Sequence, residues 1–337
     1  GLPGPAGVIR TMTPLTCVLT AIALVECLLA FRLPWRAAAA GTDNHGELRR
    51  LLQSPALLPV VVGLAVFWSV GQMLLAVYPA FAKDALGITN TVIIQGLLAT
   101  IAIGVMLGSW TDGLLSRQFI ALKLLPVAAI GVIVVALWLP LNTRLPVAVL
   151  LFFSIGFFGG LLVVPLNAML QFCSPADKLG ITIANANLLQ NIAMFLSLVL
   201  TVVASLLLID VQYQLYLIAL FALAGLGFML KRMPQALAAW RFRGRLQVQG
   251  FNSLRGYGPV LFITDDNHAD TQAAIRLCYP RQLASGMPAT WQPETAAIAS
   301  SEQYTGQQQQ LPPGITIYRV DTEQQARGTK IRFIPAN

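Results

Sequence analysis

Seven stretches of this chain, at roughly 12–33, 56–79, 91–111, 120–140, 145–169, 185–208 and 211–230, stay apolar for about 20 residues each. A hydrocarbon core of about 30 Å takes about 20 helical residues at 1.5 Å apiece, so each stretch is long enough to cross a bilayer. The rest of the chain leaves no other solvent for them. Of its residues 56% are hydrophobic and 11% charged, whereas an ordinary soluble domain carries about a quarter charged residues. The expected fold class is an all-α membrane protein of about seven transmembrane helices, followed by a small mixed α/β or partly disordered tail.

An odd number of spans puts the two ends on opposite sides, and the basic residues orient them. One face receives Arg32, Arg36, Arg49 and Arg50, then Arg117 and Lys123, then Lys178, and finally Lys231, Arg232, Arg241, Arg243 and Arg245. The other receives Arg10, Lys83 and Arg144. The expectation is an inner-membrane protein with Gly1 in the periplasm and the tail in the cytoplasm. That distribution also accounts for the net charge of +8 as topology, not as a nucleic-acid surface. Cys17, Cys27, Cys173 and Cys278 form no C-x-x-C pair, so neither a disulfide framework nor a zinc site is expected, and no cofactor is implied. The opening Gly1-Leu-Pro-Gly-Pro-Ala-Gly reads as a loop and not a signal peptide. The chain is therefore expected to begin partway through a larger protein, with 1–11 a loop remnant, 12–230 the membrane domain and 231–337 the cytoplasmic tail.

Small residues recur at helix-contact spacing in Gly104-x-x-x-Gly108 and Gly156-x-x-x-Gly160, where missing side chains let two backbones approach. Past Leu230 the chain turns polar. β-like runs stand at 259–264, 314–320 and 330–334, with Gln307–Gln310 as an expected linker.

Polar groups in hydrocarbon cost free energy unless paired or wet, so they mark helix contacts or a substrate path. Asn187, Gln190 and Asn191 stand at i, i+3 and i+4, on one helical face, with Asn185 on another. Asn167 and Gln171 share a face just after Pro165, and Gln72 and Gln95 add further amides. A path lined with amides and no full charge suits the headgroup of an amphiphile; interhelical hydrogen bonding is the competing account of each one singly. Glu26 lies inside the first span and is either a proton or cation site or an interfacial carboxylate. Lys123 near a span end is a snorkelling cation.

Phe67-Trp68-x-x-Gly71, Ala85-Leu-Gly-Ile-Thr89, Gly159-Gly-Leu-Leu-Val-Val-Pro-Leu-Asn-Ala-Met-Leu-Gln171 and Asn187-x-x-Gln-Asn-x-Ala-Met194 occur in this order. Together they resemble the lysophospholipid transporters of the major facilitator superfamily, in particular forms fused to an acyltransferase and an acyl-carrier-protein ligase, over roughly 12–230. Gly108-x-x-x-Asp112 with Arg117 echoes that superfamily's cytoplasmic loop motif. The resemblance implies a major-facilitator-type bundle that lacks its first five helices, with lysophospholipid bound between two six-helix halves that rock. It also implies membrane lipid as the setting and a missing N-terminal half, or acyltransferase and ligase domains, as partners. At Leu75, where single-domain members can carry an arginine, this chain departs from the pattern. The residues alone admit drugs, sugars or peptides; the resemblance selects lipid.

The tail echoes the fused acyltransferase's entrance at Leu246–Leu254, Gly258–Thr264 and Asn267-His268. That enzyme family needs His-x-x-x-x-Asp, the aspartate orienting the base that deprotonates the lipid hydroxyl. Ala273 takes the aspartate's place and Asp270 falls two residues after His268, so no catalytic residue is expected. The enzyme reading and that of a non-transporting fragment stand as alternatives to transport.

Overall fold

The structure is a computed structural model. It describes residues 44–337 except 117–118, 242–244, 265–271, 273–274, 277, 282, 289, 292–294, 308–310, 312–314, 326–327 and 337, together with 20, 21, 24, 25, 28 and 29. The chain divides into two compact units, Gly1–Asp43 and Asn44–Asn337. In the first unit the six described residues are helical; most of the first expected span and its Glu26 lie outside the described residues.

The second unit opens with α1 (Asn44–Gln53), followed by α2 (Leu58–Leu86), α3 (Thr91–Leu115), α4 (Leu124–Trp138), α5 (Leu145–Phe172), α6 (Leu179–Leu206), α7 (Val211–Arg232) and α8 (Pro234–Arg241). Six of these, α2 to α7, are long and apolar enough to span a membrane. Two boundaries correct the sequence reading. Loss of hydropathy at Lys83-Asp84 ended the expected span at 79, but α2 passes Pro79 and stops only at Gly87, whose φ of 64° is left-handed and which closes the helix as a glycine cap does. Helix α6 begins at Leu179, not 185: the apolar residues of Leu179-Gly-Ile-Thr-Ile-Ala184 add about two turns to the front of the span, ahead of the amide-rich stretch.

The helices pack around α2, which touches α5, α6 and α7, while α5 also carries α3 and α4. The tightest crossing is α3 on α5. A methyl added at Gly104 would stand 2.8 Å from Phe157 N and 3.0 Å from Gly156 Cα, and one at Gly160 would stand 2.6 Å from Ser109 N. The two expected small-residue motifs therefore meet each other backbone to backbone. Lipid tails are as apolar as leucine, so such close approach is what holds membrane helices together. Helices α3 and α6 are edge elements: 28% and 22% of their apolar windows are buried, against 67% for α2.

The chain beyond α8 forms one six-stranded sheet. Its strands are β1 (Arg245–Gln249), β2 (Val260–Thr264), β3 (Ala284–Ser285), β4 (Ala296–Ser300), β5 (Thr316–Gln325) and β6 (Gly328–Ala336), with a short helix α9 (Ser301–Gln307) after β4. The order is β1-β6-β5-β2-β4-β3, all parallel except the β5–β6 pair. The three β-like runs of the sequence become neighbours β2, β5 and β6. The weaker strands β1 and β4, Arg-Leu-Gln-Val-Gln and Ala-Ala-Ile-Ala-Ser, are recruited by pairing, since neither carries strong strand propensity of its own. Every residue of β2 is buried, as a strand covered on both faces requires. On one face Phe262 packs on Tyr279, Tyr318 and Phe333; on the other Leu261 and Ile263 pack with Ala297 and Ala299.

Candidate functional site

The seven amides form a ladder by depth and not a single cluster. At 1.5 Å per residue, Gln171 and Asn167 stand about 2 and 8 Å from the tail-side end of α5, and Asn187, Gln190 and Asn191 about 12, 17 and 18 Å into α6. Gln72 stands about 21 Å into α2, while Gln95 is about 30 Å from the tail-side end of α3, near the opposite rim. Their orientations differ too. Asn187, Asn191, Gln171 and Gln95 are exposed, Gln72 and Asn167 half-buried, and Gln190 is buried. The Asn187-Gln190-Asn191 face thus straddles an edge, with Gln190 turned in and its two neighbours turned off the bundle.

Among the described residues no hydrogen bond joins any of these amides to another helix. Asn167 Nδ2 donates to Val163 O of its own helix at 2.9 Å. Asn185, half-buried, has a buried Nδ2 without a partner among the described residues. On α2, otherwise well covered, Trp68 and Leu75 are exposed on either side of half-buried Gln72, and their 68, 72, 75 spacing makes one stripe. Leu75 occupies that stripe where the resemblance looks for arginine.

At the tail-side end of α3, Gly108 abuts the Phe157 backbone and Asp112 is wholly buried. Ser116 Oγ donates to Asp112 Oδ2 at 3.2 Å, and Oδ1 has no partner among the described residues. A cavity of about 200 Å³ lies here, lined by Asp112, Ser116, Pro165, Ala168, Phe251 and Asn252 among others. Arg117 lies outside the described residues, as do His268, Asp270 and Ala273 of the acyltransferase comparison.

Sequence reasoning missed the ionic cluster beside this region. Glu47 on α1, 7% exposed, pairs with Arg50 Nε at 2.9 Å and with Lys178 Nζ at 2.5 Å. Hydrogen bonding to Glu47 holds the Lys178 ammonium above the ordinary lysine range. Arg50 also donates to Thr182 Oγ1 at 3.4 Å, so α1 is fastened to the start of α6. The one signal for it was an acidic residue three before a basic one in the polar segment between the first two expected spans. No group of three or more metal-ligating side chains occurs among the described residues.

No family profile matches the chain. It is 35% identical over 203 residues to the lysophospholipid transporter LplT of Cronobacter sakazakii, covering 60% of this chain and 51% of that protein. To LplT of Escherichia fergusonii it is 36% identical over 172 residues, and to LplT of Yersinia enterocolitica 35% over 143, covering 41% and 34% of those proteins. The similar proteins are lysophospholipid transporters. The chain spans about half the length of these relatives or less. It is a multi-pass membrane protein with an α/β tail.

Proposed function

We propose that this chain is part of a carrier that moves lysophospholipid across the inner membrane by alternating access, with the described bundle as one half of it. The observation that carries the reading is the pairing of transporter relatives with amides turned off the bundle. Exposed Asn187 and Asn191 make no hydrogen bond to another helix among the described residues, and with half-buried Gln72 they form polar rungs on surfaces that a second half would cover. A headgroup moving along the ladder exchanges one hydrogen bond for the next, while the acyl chain stays against apolar α3 and α6. With Leu75 in place of a cation, the grip on the headgroup is by dipoles and not by charge.

In this reading a seventh span at 12–33 precedes the bundle, 1–11 is periplasmic, the tail of 231–337 is cytoplasmic, and the tail is a remnant of an acyltransferase domain without its aspartate. Five further helices, supplied by a longer chain or a partner, complete the cavity. Uptake of labelled lysophosphatidylethanolamine into cells lacking their own transporter tests this, with the chain alone compared with a version extended by five N-terminal helices. Uptake by the extended form is expected. Asn187→Leu with Asn191→Leu in that form should lower uptake more than tenfold at unchanged membrane abundance. Undiminished uptake would return both residues to the lipid-facing surface, and no uptake by either form would reject the substrate.

A further inference from the structure

The segment between β1 and β2 is built as a strap. It is bracketed by two glycines in the left-handed region, Gly250 at φ 79° and Gly258 at φ 94°, where other residues are disfavoured. From below, the tail's core holds its backbone. Tyr318 Oη donates to Ser253 O at 2.7 Å and accepts from Arg255 N at 3.0 Å, and Tyr279 Oη donates to Arg255 O at 2.8 Å. Buried Arg281 donates to Gly256 O at 3.2 Å and Gly258 O at 2.9 Å. A guanidinium spent on main-chain carbonyls fixes a loop's shape, because a buried carbonyl without a donor is costly.

From above, the same segment meets the bundle at separate places. Phe251 stacks on Phe172 at the end of α5, centroids 5.4 Å apart, and Tyr279 meets Phe172 edge-on at 5.9 Å. Gly256 lies so close to the Phe172 carbonyl that a side chain there has no room, with Phe172 Cδ1 only 2.6 Å from an added methyl. Phe251 and Asn252 line the cavity of Asp112 and Ser116 at the end of α3. Tyr257, at the other end, lies under the Arg50 guanidinium at 5.2 Å, and Arg50 is tied to Glu47 and to Thr182 of α6.

The bundle's helix contacts leave α3 resting on α5 and α6 resting on α2; α2 touches α5 along the bundle, but α5 and α6 have little direct contact. The strap, at most roughly 25 Å long when extended, joins those two sides at the tail-side end. We infer that Phe251–Tyr257 is a latch across the tail-side mouth of the bundle, so that the ends of α3 and α6 separate there only when the latch lifts. The inference rests on the geometry of this chain and not on the identity of the transported molecule.

Electron-spin distance measurement between labels at Gly113→Cys and Gly180→Cys tests it, in a chain otherwise free of cysteine and reconstituted in lipid. Both positions are exposed, and a Cβ added at either meets no atom of the described residues within 4 Å. The parent should give one narrow distance; Gly256→Val should broaden it and shift it outward by several ångström. Maleimide protection of Cys278, buried in the tail, is read in a parallel Gly256→Val sample to show that the tail is still folded. If Cys278 becomes reactive there, the Arg50→Ala/Phe251→Ala pair, which spares the strap's backbone hydrogen bonds, decides in its place. A narrow, unshifted distance in the deciding variant overturns the latch, and a broadened one with Cys278 protected establishes it. Uptake plays no part in this readout, so failure of the transport proposal leaves the latch standing or falling by itself.

Discussion

In the bundle the closest approaches are between backbones, Gly104 and Gly108 against Gly156 and Gly160, and polar side chains such as Asn187 and Asn191 point away from the packing. In the tail the core is built from packed rings, and the polar groups of Tyr279, Tyr318 and Arg281 point inward to main-chain partners. The two solvents explain the contrast. Water drives apolar rings together, whereas lipid gives helices no such drive and leaves close fit to do the work. A polar group in the tail is therefore structural because it is enclosed, and an outward polar group in the bundle is available for a ligand because packing does not use it.

Substitutions should break the two regions differently. Phe262→Ala removes a ring on which Tyr279, Tyr318 and Phe333 pack. It should cost the tail about 3–5 kcal/mol, seen as proteolysis beyond residue 245 while the bundle stays resistant. Gly160→Val forces side-chain atoms into the α3 backbone at a cost of about 1–3 kcal/mol, and should loosen α3 while sparing the sheet, which hydrogen exchange in each region would separate. If Gly160→Val left α3 protected, the backbone-contact account of the bundle would fail.

Alkali should attack the tail first. Burial pushes the Cys278 thiol and the Tyr279 hydroxyl well above their ordinary ranges. The unfolded chain then releases these protons at lower pH than the folded one, near 9 for the thiol and 10 for the phenol. The tail's stability is complete below pH 9 and falls above it by about 1.4 kcal/mol per pH unit for each group. Thermal melts of the tail at pH 8 to 10.5 should show this fall, and Cys278→Ala should delay its onset toward pH 10. The smallest effect belongs to the exposed edge of the ionic cluster: Lys178→Met should lower stability only slightly, and less still at high salt, measured by denaturation at two ionic strengths.

Six spans were legible because 20-residue apolar runs have few alternatives, and the paired glycine motifs were legible because only small residues permit that contact. The tail was legible where its strands are intrinsically apolar, at β2, β5 and β6, and hidden at β1 and β4, whose strand character comes from neighbours. Helix α1 was hidden because its stability comes from Glu47 reaching Lys178, which is 131 residues away in the chain. Of the candidate path, the amides were legible as polar residues in apolar runs, but not which of them point outward.

Periodicity and hydropathy by themselves determined that this chain enters a bilayer, roughly where, and which small residues form its seams, because those are local properties of the chain in a given solvent. Only the tertiary structure decided that Gln190 turns in while Asn191 turns out, that Glu47 and Arg50 clasp α6, and that a loop between two strands reaches the end of α5. Each of these depends on residues distant in sequence meeting in space, and no local pattern encodes which partners those are.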